Sequence, residues 1–140
     1  DFSAAQKKER KVSDWEQKIK KSYLGAAEGI LRLEQECGKN NIEQRNQRLQ
    51  IIEKRWEDIR HTIEEQLPTT EQLIALLQSL DAPYCPCQIG LPIEMVQEGI
   101  EVGKEVRNRY TLLQLLWDLG LEETYSKQIR AWLEELEKRG

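Results

Sequence analysis

The stretch VSDWEQKIKKSYLGAAEGILRLEQECGKN, residues 12–40, decides the fold class of this chain. Its apolar residues recur at steps of three and four, which places them on one face of an α-helix. That face consists of Trp15, Ile19, Tyr23, Ala26, Ala27, Ile30 and Leu33. Ser13 and Glu16 have the S-x-x-E spacing of a capping box, and Gly38 is a stop signal. The stretch therefore predicts one long amphipathic helix.

Two further helices are predicted directly after it. Residues 41–67 begin with Asn41 as a plausible N-cap, and Pro68 ends the segment. Residues 69–83 open with Thr69 in a second capping-box spacing, T-x-x-Q. Leucine and isoleucine are nearly continuous in this third helix, so we predict that it is well buried.

The C-terminal half predicts three more helices after a proline-containing loop. Residues 92–110 carry one apolar side, and residues 122–140 are amphipathic. Between them, TLLQLLWDLG has Thr111 as its N-cap and Gly120 as its stop, with little polar surface. We expect this short helix to lie at the centre of the core.

The organisation that follows is a single all-helical domain over residues 13–140, preceded by a polar lead-in over residues 1–12. A chain of 140 residues is long enough to bury a core of its own. No segment shows the alternation of a convincing strand. We therefore predict an all-α bundle of about six helices with short loops.

The bulk charge disfavours nucleic acid as a partner, since the formal net charge is −4 and the pI about 5.2. Residues 1–21 hold seven basic and four acidic side chains, a balance of +3, which we interpret as a solvated helix face. No apolar run is long enough for a membrane span, and three cysteines without framework spacing suggest a reducing, cytoplasmic setting. The chain starts at Asp1 and its only methionine is Met95, so we expect a piece of a longer or processed protein.

The loop APYCPCQIGLP, residues 82–92, contains Cys85 and Cys87. A structural zinc needs four ligands, and here the remaining candidates are Cys37 and His61, both distant in sequence. A redox pair usually has Cys-x-x-Cys spacing beside a βαβ unit. We predict that the two cysteines pack a proline-stiffened loop, and we assign no metal to this chain.

The other polar candidates are also interpreted as surface residues. His61 lacks an accompanying nucleophile motif and is predicted to be a helix-dipole partner or a surface residue. Arg107 and Arg109 could hold an anion, but a dipole-compensating role with a salt bridge is favoured. The carboxylates are predicted to lie on solvated faces; they are Glu34, Glu36, Glu64, Glu65, Glu122, Glu123, Glu134 and Glu135. Glycine-rich phosphate loops are absent from the sequence, so neither catalytic nor cofactor-binding residues are assigned.

Four segments taken in order resemble the C-terminal region of bacterial-type sn-glycerol-1-phosphate dehydrogenases. They are WEQKIKKSYLGAAEGILRLEQECGKN, IIEKRWEDIRHTI, LPTTEQLIALLQSLDAPYCPCQIGLP and VRNRYTLLQLLWDLGL. The most telling pieces are Ala82-Pro83, Ile89-Gly90 and the run Arg107, Arg109, Tyr110 and Thr111. These enzymes belong to the iron-containing alcohol dehydrogenase and dehydroquinate synthase-like superfamily.

The resemblance implies a distal C-terminal subdomain with a structural role. In the family, NAD(P) binds an upstream Rossmann-like domain, and a divalent metal is held by an Asp and two His; the reaction belongs to phospholipid metabolism. His61 does not match the family's histidine motif, so no metal-ligand role carries over. The implied partners are the upstream nucleotide- and metal-binding domains of a parent chain, and a homo-oligomer is possible. The alternative that we keep is a stand-alone helical interaction module, with Trp132 and Leu136 as its surface; a small metal-binding protein is a third hypothesis.

Overall fold

A computed structural model describes residues 2–8 and 12–139, and this part of the chain is helical without a β-strand. The α-helices are α1 (Phe2–Lys7), α2 (Val12–Tyr23), α3 (Ala27–Cys37), α4 (Ile42–Lys54), α5 (Trp56–Gln66), α6 (Thr70–Ser79), α7 (Ile93–Val102), α8 (Leu112–Leu119) and α9 (Glu122–Arg139). Short 3₁₀ helices occupy Leu24–Ala26, Pro86–Ile89 and Gly103–Val106. The predicted all-α bundle with short loops is confirmed, and its placement in a dehydroquinate synthase-like fold stays a prediction.

The long first helix of the prediction is wrong in one respect, because it is interrupted between α2 and α3. Leu24 has a φ of 47°, a left-handed conformation that a helix interior does not allow, and Gly25 follows it. A 3₁₀ turn spans the break. The interruption lets α3 pack back on α2, where Ala27 joins Ile19 and Val102 in a buried apolar cluster. Tertiary packing therefore overrides the continuous helical pattern.

Of the sequence signals that predicted helix ends, one is wrong and the others are confirmed. The capping box predicted at Ser13 is wrong, since Ser13 lies inside α2 and its hydroxyl donates to Asp14 Oδ1 over 3.3 Å. At Asn41 the prediction is confirmed, because its side chain accepts from the backbone N–H groups of the first turn of α4. The capping box at Thr69 is also confirmed. Gly38 ends α3 with a φ of 61°, in the left-handed region that favours glycine.

The predicted second helix is also divided, here at Arg55, whose backbone leaves the helical region between α4 and α5. Beyond this point, α5 packs on α4, but no residue of α5 or α6 is buried. The prediction that α6 is well buried is wrong: Leu76, for example, is 55% exposed. Its leucines have helical spacing, but none of them is buried by the described elements.

The C-terminal half supplies most of the packed body, in which α7 lies against α9. The predicted helix over residues 92–110 ends at Val102 and continues only as the 3₁₀ turn Gly103–Val106. Helix α8 begins after Thr111 and stops at Gly120, as predicted. Its Trp117 is buried but Leu112 is 63% exposed, so α8 is central through only one of its faces.

Part of the polar lead-in is structured. Helix α1 packs on α4 and α8, with Ala5 buried and the Phe2 ring edge-on to Trp56 at 5.5 Å. Lys8 donates to the carbonyl oxygen of Gly120 over 2.7 Å. Arg10 and Lys11, which contribute to the basic character predicted for the N-terminal region, lie outside the described residues.

Within the described chain, no helix combines the length and apolarity that a membrane crossing requires.

Candidate functional site

The most heavily charged part of the interior is an ion pair between two consecutive residues, Lys104 and Glu105, which are 3% and 2% exposed. Both belong to the 3₁₀ turn after α7, which directs them inward between α2, the turn joining α3 to α4, and α8. The Lys104 ammonium donates to Glu105 Oε1 and, over 2.7 Å, to Asn40 Oδ1, and it lies 4.4 Å from the centre of the Trp117 ring. A lysine so enclosed is tolerable only because acceptors and a π face replace water.

The Glu105 carboxylate is satisfied by donors from two other elements. Trp15 of α2 donates its indole N–H over 2.8 Å, and Asn40 donates its amide N–H over 3.1 Å. Lys39 adds a second ammonium 3.2 Å from Oε2. The pair therefore ties α2, the α3–α4 turn and the segment after α7 to one point.

The two pKa values of this pair move for opposing reasons. Burial lowers the pKa of Lys104 to about 8, because the loss of hydration outweighs the attraction of Glu105. For Glu105, burial alone would raise the pKa, but the Lys104 charge and hydrogen bonds, with Lys39, leave it below its usual value. The carboxylate is thus held ionised, and the unfavourable effect of burial appears as the lowered pKa of Lys104.

A second buried carboxylate, Asp118 on α8, is fully enclosed and accepts four side-chain hydrogen bonds. Arg48 donates two hydrogen bonds to the carboxylate, over 2.9 and 2.8 Å. Tyr110 donates its hydroxyl over 3.0 Å and Gln114 its amide over 3.1 Å. Burial, followed by the Asp118 charge, raises the pKa of the Tyr110 hydroxyl, so this hydroxyl stays a donor.

Arg45 extends this network to the N-terminal helix. Its side chain is fully buried and donates to the Asp118 backbone oxygen over 2.9 Å and to the Ala5 backbone oxygen. Its guanidinium carbon also lies 5.9 Å from the centre of the Trp117 ring. We name Arg45, Arg48, Lys104, Glu105 and Asp118 the buried ion network. Its hydrogen bonds join α1, α2, α4, α8 and the turn after α7, which is the arrangement of a structural clamp.

A polar cleft of about 240 Å³ lies beside the network. Its walls include Glu105 and Trp117 but not Lys104, whose nitrogen faces into the protein. Within the cleft, Glu101 is paired with Lys18 and accepts from the Ser126 hydroxyl over 2.8 Å. The described geometry leaves the Lys104 nitrogen engaged by protein groups, so it favours a structural role for this lysine over a nucleophilic one.

Arg107 and Arg109, which were considered as an anion site, are exposed and lie apart from this network. Tyr110, named in the sequence analysis only as part of the family resemblance, joins the network through Asp118. His61 is on the surface of α5, with its Nε2 3.2 Å from Glu65. The prediction of solvated faces is wrong for Glu122, which is buried, and for Glu34, which is partly buried with one oxygen accepting from the Asn40 N–H over 2.8 Å.

The cysteine loop is placed away from the other metal-ligand candidates. Cys85 is buried and Cys87 exposed, with their sulfurs 2.8 Å apart, while the Cys37 sulfur contacts the Asn108 amide. In residues 2–8 and 12–139, no three His, Cys, Asp or Glu side chains are grouped so as to hold a metal ion. The described residues thus do not fit a resident metal, and we derive no chemistry through one.

The remaining surface feature is apolar. We name α5 and α6 with their connection, residues 56–79, the arm. Large side chains are exposed along it and at its end; they are Ile63, Leu67, Leu73, Leu76 and Leu80. At its base, an apolar hollow of about 420 Å³ is lined by Ile51, Ile52, Ile59 and Ile63, among others. Exposed apolar patches of this kind mark contact surfaces more often than catalytic ones.

Sequence reasoning missed the buried ion network. One usable signal was the pair Lys104-Glu105 between Val102 and Val106, and another was Asp118 within a helix whose only other polar residue is Gln114. Comparison of the chain with protein-family models, curated proteins and solved structures gives no match. Geometry and the sequence resemblance are therefore the grounds on which a function is proposed.

Proposed function

We propose that this chain is the C-terminal helical module of an NAD(P)-dependent glycerol-1-phosphate dehydrogenase-like oxidoreductase, with a structural role. In such an enzyme, hydride transfer between NAD(P)H and dihydroxyacetone phosphate would take place on the upstream nucleotide- and metal-binding domains. The module would pack against those domains and stabilise their structure. The four segments that resemble this family, spread from Trp15 to Leu121, support the proposal.

The observation that carries the structural role is the contrast between the arm and the body. The body places charged groups inside and satisfies them with donors and acceptors from several elements, as Glu105 and Asp118 illustrate. The arm does the reverse, because it leaves leucines such as Leu73 and Leu76 exposed. Water-exposed leucine surface is unfavourable by about 25 cal/mol per Å², so a covering surface would stabilise the arm. We assign that covering role to the upstream domains of the parent chain.

The first test is the intact mass of the native gene product, isolated from its own cells. A mass far above 16.5 kDa, with upstream sequence that carries a glycine-rich strand–turn–helix and an Asp/His/His set, is the expected result. A native product near 16.5 kDa would contradict the proposal. The purified 140-residue chain should not oxidise NAD(P)H with dihydroxyacetone phosphate, and measurable turnover would equally refute it.

The covering role of the arm has a separate test. Hydrogen–deuterium exchange should show residues 56–79 protected in the native product and exchanging fast in the isolated chain. Peptides from α7, which already packs against α9, act as the matched control and should exchange equally in both. Equal exchange of the arm in both proteins would show that the upstream domains do not cover it.

A second function, a stand-alone helical interaction module, is favoured by one specific feature of α9. Tyr125 and Trp132 are seven residues apart, hence on one helix face, and both are partly exposed. Leu136, which the sequence hypothesis placed beside Trp132, is only partly accessible. This alternative predicts a mass that rises with concentration in light scattering, and Trp132→Ala should abolish the rise. A monomer at every concentration would count against self-association.

A further inference from the structure

The loop between α6 and α7 holds two thiols side by side. The Cys87 sulfur donates to the Cys85 sulfur over 2.8 Å, and both cysteines are free thiols. The third cysteine, Cys37, has a different environment, since its sulfur accepts from the Asn108 amide over 3.0 Å. Two thiols this close are a chemically distinct unit.

Backbone structure, and not the sulfurs themselves, holds the pair together. The 3₁₀ turn Pro86–Ile89 is closed by the Gln88 N–H on the Cys85 oxygen at 3.1 Å and by the Gly90 N–H on the Cys87 oxygen at 3.1 Å. The Gln88 side chain returns to accept from the Cys85 N–H over 2.9 Å. Gly90 then leaves the turn with a φ of 68°, where glycine carries no Cβ penalty. The turn therefore orders the loop before any bond between the sulfurs forms.

The two sulfurs also differ in access. Cys85 is 5% exposed, whereas Cys87 is exposed. An oxidant from solution therefore meets Cys87 first, and Cys85 is protected until its neighbour has reacted. An accessible attacking thiol beside a shielded resolving thiol is the arrangement that favours an intramolecular disulfide over a lasting mixed one.

We propose that Cys85 and Cys87 form a redox pair that low-molecular-weight disulfides such as oxidised glutathione convert into an intraloop disulfide. The Cys87 thiolate attacks one sulfur of the oxidant, so that a mixed disulfide forms and one thiolate leaves. The Cys85 thiolate then attacks the Cys87 sulfur and releases the second thiolate. Two protein thiols lose two electrons and two protons, and the oxidant is reduced to two thiols.

The same neighbours set the pH dependence of the first step. The hydrogen bond to Cys85 raises the pKa of the Cys87 thiol, and the negative charge of Glu137 acts in the same direction. Since the thiolate is the attacking form, oxidation speeds up as the pH rises. The exchange is therefore slow at neutral pH, and the equilibrium position is the better measurement.

The test uses the whole chain equilibrated in mixtures of reduced and oxidised glutathione, quenched with acid and alkylated with N-ethylmaleimide. Trypsin separates the cysteines, because residues 33–39 carry Cys37 and residues 61–104 carry Cys85 and Cys87. The expected result is that peptide 61–104 becomes an unalkylated disulfide. In peptide 33–39, Cys37 is expected to remain alkylated or to carry glutathione. Alkylation of both loop cysteines in buffers that glutathionylate Cys37 would overturn the proposal, and so would stable glutathionylation of Cys87.

A comparison with the urea-unfolded chain isolates the contribution of the fold. If the ordered turn holds the sulfurs together, the equilibrium constant for ring closure should be about tenfold larger in the native chain than in urea. An equal or smaller constant in the native chain would overturn the structural argument. The variant Cys85→Ser should accumulate glutathione on Cys87, and Cys87→Ser should leave Cys85 unmodified until urea is added. Glutathionylation of native Cys87→Ser at Cys85 would refute the assigned order of attack.

Discussion

Replacement of Asp118 by Asn tests the buried ion network directly. Each carboxylate oxygen accepts two hydrogen bonds: Oδ1 from Arg48 and Gln114, and Oδ2 from Arg48 and Tyr110. Whichever oxygen becomes the amide nitrogen, two N–H donors then face each other across the Arg48 contact. The substitution also removes the charge that compensates the guanidinium, without changing the size of the side chain.

The expected loss follows from these contacts. Removing one member of a buried charge pair costs about 3–5 kcal/mol. The Arg48 side chain keeps 23% exposure, so water can screen part of its charge, and we expect the lower end, about 3 kcal/mol. In a domain of this size, such a loss lowers the melting temperature by about 10 °C. Urea unfolding followed by far-ultraviolet circular dichroism measures the free energy of unfolding.

The matched control is Glu134→Gln, which removes the carboxylate from the pair between Arg130 and Glu134 on α9. Their side chains keep 37% and 44% exposure, so water screens the pair, and its loss should cost far less than that of Asp118. Arg48→Met combined with Asp118→Asn completes a cycle, and the double variant should recover about 2 kcal/mol relative to the sum of the single losses. If Asp118→Asn costs no more than the control, or if the two losses simply add, the reasoning is refuted.

Three further predictions concern the charge, the arm and a turn. The pKa of Lys104 is about 8 in the folded chain, below its ordinary 10.5, so the unfolded chain binds more protons above pH 8. The wild type should therefore gain about 2 kcal/mol of unfolding free energy relative to Lys104→Met between pH 7 and pH 10. Urea unfolding of both proteins at these two pH values measures the difference. Equal dependence of stability on pH in the two proteins would contradict the lowered pKa of Lys104. Leu76→Ala on the exposed arm should cost under about 0.5 kcal/mol in the isolated chain, whereas Leu49→Ala in the core should cost about 2–5 kcal/mol. If urea unfolding gave similar losses of free energy for the two variants, Leu76 would be buried in the isolated chain and the arm would not be exposed. Gly120→Ala should lower the stability by at least about 1 kcal/mol, because its φ of 72° is strained for alanine and the new Cβ would lie 2.6 Å from a Lys8 carbon; an unchanged melting temperature would argue against that close approach.

The sequence predicted several helix ends correctly from local signals, although the capping box at Ser13 is wrong. Asn41 caps α4, Thr69 opens α6, and Gly120 ends α8, each by contacts that span a few residues of the chain. The interruption at Leu24 escaped prediction, because the apolar pattern continues through it. What decides that conformation is the packing of α3 against α2 and α7, which involves residues far along the chain.

The candidate site was less accessible to sequence reasoning than the fold. Lys104 and Glu105 resemble any exposed charged pair in a polar sequence, and their burial arises from Trp15, Asn40 and Trp117, which come from three separate segments. The cysteine pair was visible in the sequence, but the separation of its sulfurs and their unequal exposure were not. The local sequence does not specify which remote segments pack against a residue.

The sequence by itself determined the all-α class, most helix ends and the position of the cysteine loop, because backbone hydrogen bonding, capping and turn formation depend on neighbours along the chain. Only the tertiary structure decided which charges are buried and which leucines remain exposed. The leucines of α6 have the spacing of a buried helix, yet none of them is buried, while Asp118 of α8 is enclosed. Burial depends on what lies opposite a side chain in space, and helical periodicity specifies a face without specifying its partner.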